Sequence, residues 1–230
     1  MAPQDDTLAE SIAYELRREI LRGSLPPGAP IKERDNAERQ GVSRTPMREA
    51  IRILAKEGLV QLRPLRSPVV ADPSLDEIVD QIRVLHTLEL LSGELACEKA
   101  TDQDLVRISA LKDRIELIYG EADTLDVFEL DMQFHAAIVA ASHNGALAET
   151  HGAYMARLWR ARYLSARRKK SRDRVIRQHE AILDALRARD PVRVKAEIDA
   201  HLADMVLNIR DHFREVGEMG VPSDDDAANP

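Results

Sequence analysis

Gly41-Val42-Ser43-Arg44-Thr45-Pro46-Met47-Arg48-Glu49-Ala50-Ile51-Arg52 is the stretch on which the reading of this chain turns. A glycine turn is followed by Ser43 or Thr45 as a helix N-cap, and Pro46 falls in the first helical turn, where a missing N–H costs nothing. Arg44, Arg48 and Arg52 recur every four residues and share one face, while Met47, Ala50, Ile51 and Leu54 share the other. The spacing predicts a helix that packs on one side and presents arginines on the other. Taken alone, the stripe is equally well an ordinary solvated basic face, so its meaning depends on its neighbours.

Upstream, Leu8, Ile12, Leu16 and Ile20 keep helical spacing up to Gly23, and Pro26-Pro27-Gly28 forces a turn. A short helix follows from about Lys32 to Gln40. Downstream, the arginine helix ends at Lys56-Glu57-Gly58. Residues 59–62 and 67–70 then read as two short strands around the basic loop Arg63-Pro64-Leu65-Arg66. Two helices, a glycine turn, a basic helix and a hairpin make the order of a winged helix-turn-helix, in which the third helix enters the major groove and the wing lies over the backbone.

Asp72-Pro73 closes that unit, and Ser74-Leu75-Asp76-Glu77 is a capping box that opens a new helix. No strand signal follows. Helices are expected at about 75–99, 102–119, 124–141, 145–168, 172–188 and 191–215, capped among others by Thr101, Thr124 and Asp190-Pro191. The chain is therefore expected to be mainly α. It divides into a DNA-binding winged helix-turn-helix over 1–72, an antiparallel all-helical bundle over 73–220, and a disordered acidic tail over 221–230.

Composition agrees: of 230 residues 44% are hydrophobic, 32% charged and only 3% aromatic, a helix-rich balance. The net charge of −7 argues against a nucleic-acid partner only until its distribution is seen, because residues 41–66 hold six Lys/Arg against two Asp/Glu. The acidity belongs to the second half. One cysteine, Cys97, excludes an internal disulfide and a cysteine-based zinc finger, and its apolar helical setting suggests a buried, inert thiol. No apolar run approaches the ~18–20 residues that span a bilayer. The acidic start is not a signal peptide, so no membrane association and a cytoplasmic location are expected.

Four residues of the bundle form a candidate metal site. Asp131 and His135 are four apart on one helix and project together. His179 and His201 each lie eleven residues from Asp190 at the turn of a helical hairpin, and residues equidistant from such a turn sit at the same height. If the 124–141 helix packs alongside, one carboxylate and three imidazoles converge. That donor set suits zinc first, and also nickel, cobalt, manganese or iron, with positions open for a ligand. His86, His143, His151 and His212 lack such a pairing and are read as structural or exposed.

In this order, these features resemble the GntR superfamily of bacterial transcription regulators, in the FadR branch with the FCD effector domain. The resemblance is carried by residues 23–28 (Gly-Ser-Leu-Pro-Pro-Gly), 41–50, 57–60, Leu88-Glu89, 131–135, 178–180, 185–190 and His201-Leu202. It implies a homodimer on operator DNA that responds to a small carboxylate effector bound at the metal. It also implies that Arg34, Arg44 and Arg48 contact DNA and that Asp131, His135, His179 and His201 are the metal ligands. Ser43, Thr45 and the wing's Arg66 complete the expected DNA set. Three positions depart from the family pattern: Asn36 stands before Ala37 where an apolar residue is usual, Ser67-Pro68 where the wing usually has glycine, and Leu85 where many members carry a pocket arginine. Arg83, Arg157 and Arg160 are the substitutes considered for that cation. Residues 157–177 hold ten Lys/Arg against one Asp, which reads as a solvated turn, a second phosphate contact, or a pairing with an acidic partner subunit. The expected function is a ligand-responsive, sequence-specific transcription factor rather than an enzyme. The alternatives are a metal-sensing repressor and a metal-dependent hydrolase with Glu180 as base.

Overall fold

The structure is a computed structural model that describes residues 7–168 and 171–219. The tail over 221–230 and Lys169-Lys170 of the basic segment lie outside the described residues.

The N-terminal unit comprises α1 (Leu8–Arg22), α2 (Glu33–Gln40), α3 (Arg44–Lys56), β1 (Val60–Gln61) and β2 (Val69–Val70). Thr7 and Glu10 form a reciprocal capping box at the start of α1, and Gly23 ends it in the left-handed conformation. Ile12, Leu16 and Ile20 of α1 meet Met47, Ala50, Ile51 and Leu54 of α3 in one core closed by Leu59, Val60 and Val70. The apolar face expected of the arginine helix is therefore the packed one. The hairpin is antiparallel, pairing Val60 with Val70. It carries a third strand-like edge that sequence spacing did not indicate. Ile31 N–H donates to Pro68 O (2.7 Å), Val70 N–H to Ala29 O (2.9 Å) and Gly28 N–H to Val70 O (3.0 Å), with Pro30 bridging Val69. Proline lacks an N–H and is tolerated there because this is an edge.

Two of the unusual positions are accommodated locally. Asn36 donates to Lys32 O (2.9 Å) and accepts from Arg39 (2.9 Å), so it acts as a polar strap on α2 while Ala37 takes the buried position. At the wing the left-handed residue is Leu65, with φ 57°, not Ser67. Ser67 instead accepts two bonds from the Arg63 guanidinium (2.9 and 2.7 Å), and Pro68 is buried.

The bundle comprises α4 (Leu75–Lys99), α5 (Asp102–Ile118), α6 (Thr124–Ala141), α7 (Gly145–Arg168), α8 (Arg172–Arg187), α9 (Pro191–Leu202) and α10 (Met205–Met219). Ser74–Glu77 and Thr101–Asp104 are capping boxes, and Asp190 caps α9 with Pro191 at its first position. Asp123, not Thr124, caps α6, accepting from Leu125 N–H. α4 and α9 cross closely at Gly93, where an added Cβ would lie 2.6 Å from Ile198 Cδ1. The last helix expected from sequence is broken at Ala203-Asp204. At the break a side chain from another helix meets the backbone: Gln178 Nε2 donates to Ala200 O (3.2 Å), a carbonyl of the last turn of α9.

The two units share a tight junction. Leu21 of α1 packs with Leu125, Phe128 and Met132 of α6 and Met155 and Tyr163 of α7. Gly58, just past α3, sits against the Arg157 side chain so closely that a Cβ there would fall 2.7 Å from its Cγ. No helix among the described residues is long and apolar enough to cross a membrane.

Candidate metal centre and DNA interface

On α3, Arg44, Arg48 and Arg52 are exposed. Ser43 is the N-cap residue but makes no side-chain capping bond, and Thr45 beside it is exposed. Arg34, Arg44, Arg66, Lys32 and Leu65 line one concave surface between α2, the start of α3 and the wing. Arg48 is held by Glu33 of α2 (3.1 Å), and Arg34 lies near Asp35 (3.6 Å) and Glu38 (3.8 Å). Pairs this exposed are weak, so these guanidiniums can be exchanged onto a phosphate or base edge at little cost.

In the bundle, α6 contributes Asp131 and His135, α8 contributes His179 and α9 contributes His201. One donor atom from each lies within 4.8 Å of all the others. His179 Nε2 is 2.9 Å from Asp131 Oδ1, and His135 Nε2 is 3.2 Å from His201 Nε2. All three histidines are buried. The orientation of two rings is set from behind. His135 Nδ1 is 2.8 Å from Glu89 Oε2. Burial pushes the Glu89 carboxyl up, but the Arg162 charge and His135 outweigh it and hold the group well below the usual carboxylate range. An ionised carboxylate can only accept, so His135 Nδ1 donates and its Nε2 is the nitrogen that faces inward. Gln178 spends its N–H on Ala200 O, so its Oε1 accepts from His201 Nδ1 (3.3 Å), and His201 Nε2 is likewise the nitrogen facing inward. Two Nε2 atoms at this distance share a proton as a hydrogen bond or, with both imidazoles neutral, direct two lone pairs at one cation between them. The separation is close to the edge of a tetrahedron with arms of about 2.0–2.1 Å, the length of a zinc–imidazole bond. The residues present therefore fit a divalent transition metal, with Glu89 and Gln178 as the outer partners that such ligands need.

A cavity of about 280 Å³ reaches this cluster at Asp131. Tyr119, Thr124, Phe128 and Val175 form its walls, and Arg167 is its cation. None of the three arginines proposed from sequence lies there. Arg83 is exposed and pairs with Asp80 (3.0 Å), because Leu85 and Glu89 occupy the inward phase of α4. Arg157 and Arg160 lie at the junction with the winged unit, beside Gly58, Leu59 and Val70. Burial there lowers the Arg160 pKa, with Asp72 opposing. Helix phase explains the placement: Arg160 and Arg162 are about 200° apart around α7, so one faces the winged unit and the other the bundle interior. Arg162 is the buried cation that spacing missed, and it donates to Glu89. His151, read from sequence as structural or exposed, is buried on the same carboxylate at 3.6 Å. The detectable signal was Glu89 itself, a carboxylate in the inward phase of an apolar helix, which requires a buried cation. Part of the basic segment is engaged within the chain: Arg168 pairs with Glu215, Arg174 with Asp204, and Arg172 donates to Glu116 O.

Comparison with known proteins agrees with this architecture. Residues 8–70 match the family described as bacterial regulatory proteins, gntR family, and residues 80–204 match the FCD domain. The chain is a GntR-family regulator with an FCD domain. Among its relatives, the HTH-type transcriptional repressor RspR of Escherichia coli K12 is 28% identical over 195 residues, covering 85% of this chain and 86% of that protein. A regulator in an unstable DNA locus of Streptomyces ambofaciens is 31% identical over 214 residues, covering 91% and 89%. The fold is similar to that of E. coli McbR/YncC, with a TM-score of 0.76 at 21% identity over 90% of this chain and 99% of that one. It also resembles a GntR regulator from Rhodococcus sp. RHA1, with a TM-score of 0.71 at 22% identity over the same shares. The regulator is thus a DNA-binding transcription factor and not an enzyme. Glu180, the base considered for a hydrolase, is tied to Lys112 (2.7 Å).

Proposed function

We propose that the regulator is a homodimer whose α3 reads an operator half-site and whose bundle binds a divalent transition metal together with a small organic acid. Arg44 and Arg48 donate to guanine edges or phosphates, Arg34 and Arg66 grip the backbone, and Ser43 and Thr45 offer hydroxyls at the helix start. Asp131, His135, His179 and His201 are the metal ligands, with zinc the best match for one oxygen and three nitrogens. The observation that carries the metal reading is the pair of facing Nε2 atoms, 3.2 Å apart, whose Nδ1 atoms are committed to Glu89 and Gln178. The acid's place is the cavity at Asp131, where Arg167 meets its carboxylate.

Metal sensing without an acid is the second reading. It is favoured by the engagement of Arg162 with Glu89, which among the described residues leaves Arg167 as the one cation lining that cavity. Elemental analysis of the purified protein, set beside a His179→Ala/His201→Ala variant, tests the site: about one metal per chain is expected in the parent and none in the variant. Equal metal content in both sinks it. Gel shifts on DNA upstream of the regulator's own gene, with metal alone and with metal plus a panel of organic acids, separate the two readings. A shift complete with metal alone selects sensing.

A further inference from the structure

The helix that holds Asp131 and His135 is gripped from its other side by the DNA-binding unit. Arg18 of α1 is buried between two α6 carboxylates, with Nη2 2.7 Å from Asp126 Oδ1 and Nη1 3.0 Å from Glu129 Oε2. Its Nη1 also donates to Tyr14 Oη (2.9 Å), and Tyr14 in turn donates to Glu129 (3.1 Å). One turn further on, Arg22 pairs with Asp123, the residue that caps α6 (2.5 Å). Leu21 seals the contact against Leu125, Phe128 and Met132. Asp126 and Glu129 are three residues apart on one face of α6, Asp131 and His135 are four apart on another, and Glu129 and Asp131 are separated by about 200° around the helix. α6 is thus clamped between the winged unit and the histidine cluster.

We infer that α6 transmits the state of the metal cluster to the winged unit, and that Arg18 is the positioning residue of that link. This rests on the metal reading above. Ligands drawn together from α6, α8 and α9 set the rotation and height of α6. Asp126 and Glu129 move with it. Arg18, desolvated and held by three partners, cannot follow solvent instead, because a buried guanidinium deprived of its carboxylates is costly. α1 shares its core with α3, so a displacement of α1 is a displacement of the arginine face. The metal need not touch the winged unit; it needs only to favour one placement of α6 over another.

The test compares chelator-stripped and zinc-loaded protein by hydrogen exchange and by operator affinity. In the parent, zinc should slow exchange in α1 as well as in α6, and should change operator affinity by roughly 5-fold or more. In Arg18→Met, metal content by elemental analysis should equal the parent's, while the zinc-dependent slowing in α1 disappears and the affinity ratio collapses toward one. Asp126→Asn/Glu129→Gln removes the same link from the α6 side and should give the same result, which guards against a local folding defect at Arg18. Zinc that protects α6 and α8 in the parent but leaves α1 unchanged would overturn the inference, as would either variant that keeps the full zinc response. A parent that binds no zinc refutes the metal reading itself, and elemental analysis reports that separately.

Discussion

Arg48 spends its charge on Glu33 in the free protein, at a site half open to solvent. Exchanging that pair for a phosphate or a guanine costs no more than about 1 kcal/mol. Arg48→Ala should therefore weaken operator binding by about 1–3 kcal/mol if the contact is to a base edge, with relaxed preference at that position. If the contact is to a phosphate, the loss is uniform across sequences and the salt slope falls by about one. Affinities over a salt series on operator and scrambled DNA distinguish these outcomes, and an unchanged affinity at every salt removes Arg48 from the interface. Leu65 is a second residue set apart by local physics. It is fully exposed and holds φ 57°, a conformation that costs a branched side chain roughly 1 kcal/mol and that asparagine adopts more readily. Leu65→Asn should raise the midpoint of denaturant unfolding; a lowered midpoint would mean that the leucine contributes packing to the fold.

At the scale of elements, the helices announced themselves because caps and periodicity agree. Thr7 with Glu10, Ser74 with Glu77 and Thr101 with Asp104 are reciprocal pairs, and each sits where an apolar repeat begins. What periodicity did not reveal depends on groups distant in sequence. The interruption between α9 and α10 has no proline or glycine to mark it, and the bond that meets the backbone there comes from Gln178 on the neighbouring helix. The edge formed by residues 28–31 was hidden behind a Pro-Pro-Gly turn that signals only a bend. Asp123 and Thr124 are adjacent and equally suited to cap α6, so spacing alone could not choose. The clustering of Asp131, His135, His179 and His201 was readable because two of them lie on one helix and two are symmetric about one turn. The Glu89–Arg162 pair joins α4 to α7 across seventy-three positions and shows no such symmetry. Gln178 invites a test of its own. Gln178→Leu keeps the volume but releases both His201 Nδ1 and Ala200 O, so metal affinity measured by chelator competition should fall about 10- to 100-fold. An unchanged affinity would show that His201 is oriented by something else.

For the whole molecule, a metal that binds only the folded chain must stabilise all of it. At a free zinc concentration a hundredfold above the dissociation constant, the gain is about 2.7 kcal/mol. Thermal unfolding should therefore move to higher temperature on loading and return with chelator, and His179→Ala should abolish the difference. A melting temperature indifferent to zinc in the parent would contradict the site. The DNA-facing end obeys a different constraint. Its wing is fastened twice, to β1 on one side and to residues 28–31 on the other, and Arg63 laces its tip. Segment 28–31 runs straight into α2, whose far end opens onto α3. The reading helix and the wing therefore behave as the two fixed jaws of a caliper. A gauge that cannot spread does not adapt to its workpiece, so on the proposed docking the duplex is expected to adjust its groove width, and sequences that resist such adjustment should bind less well even where they differ only at base pairs the protein never touches.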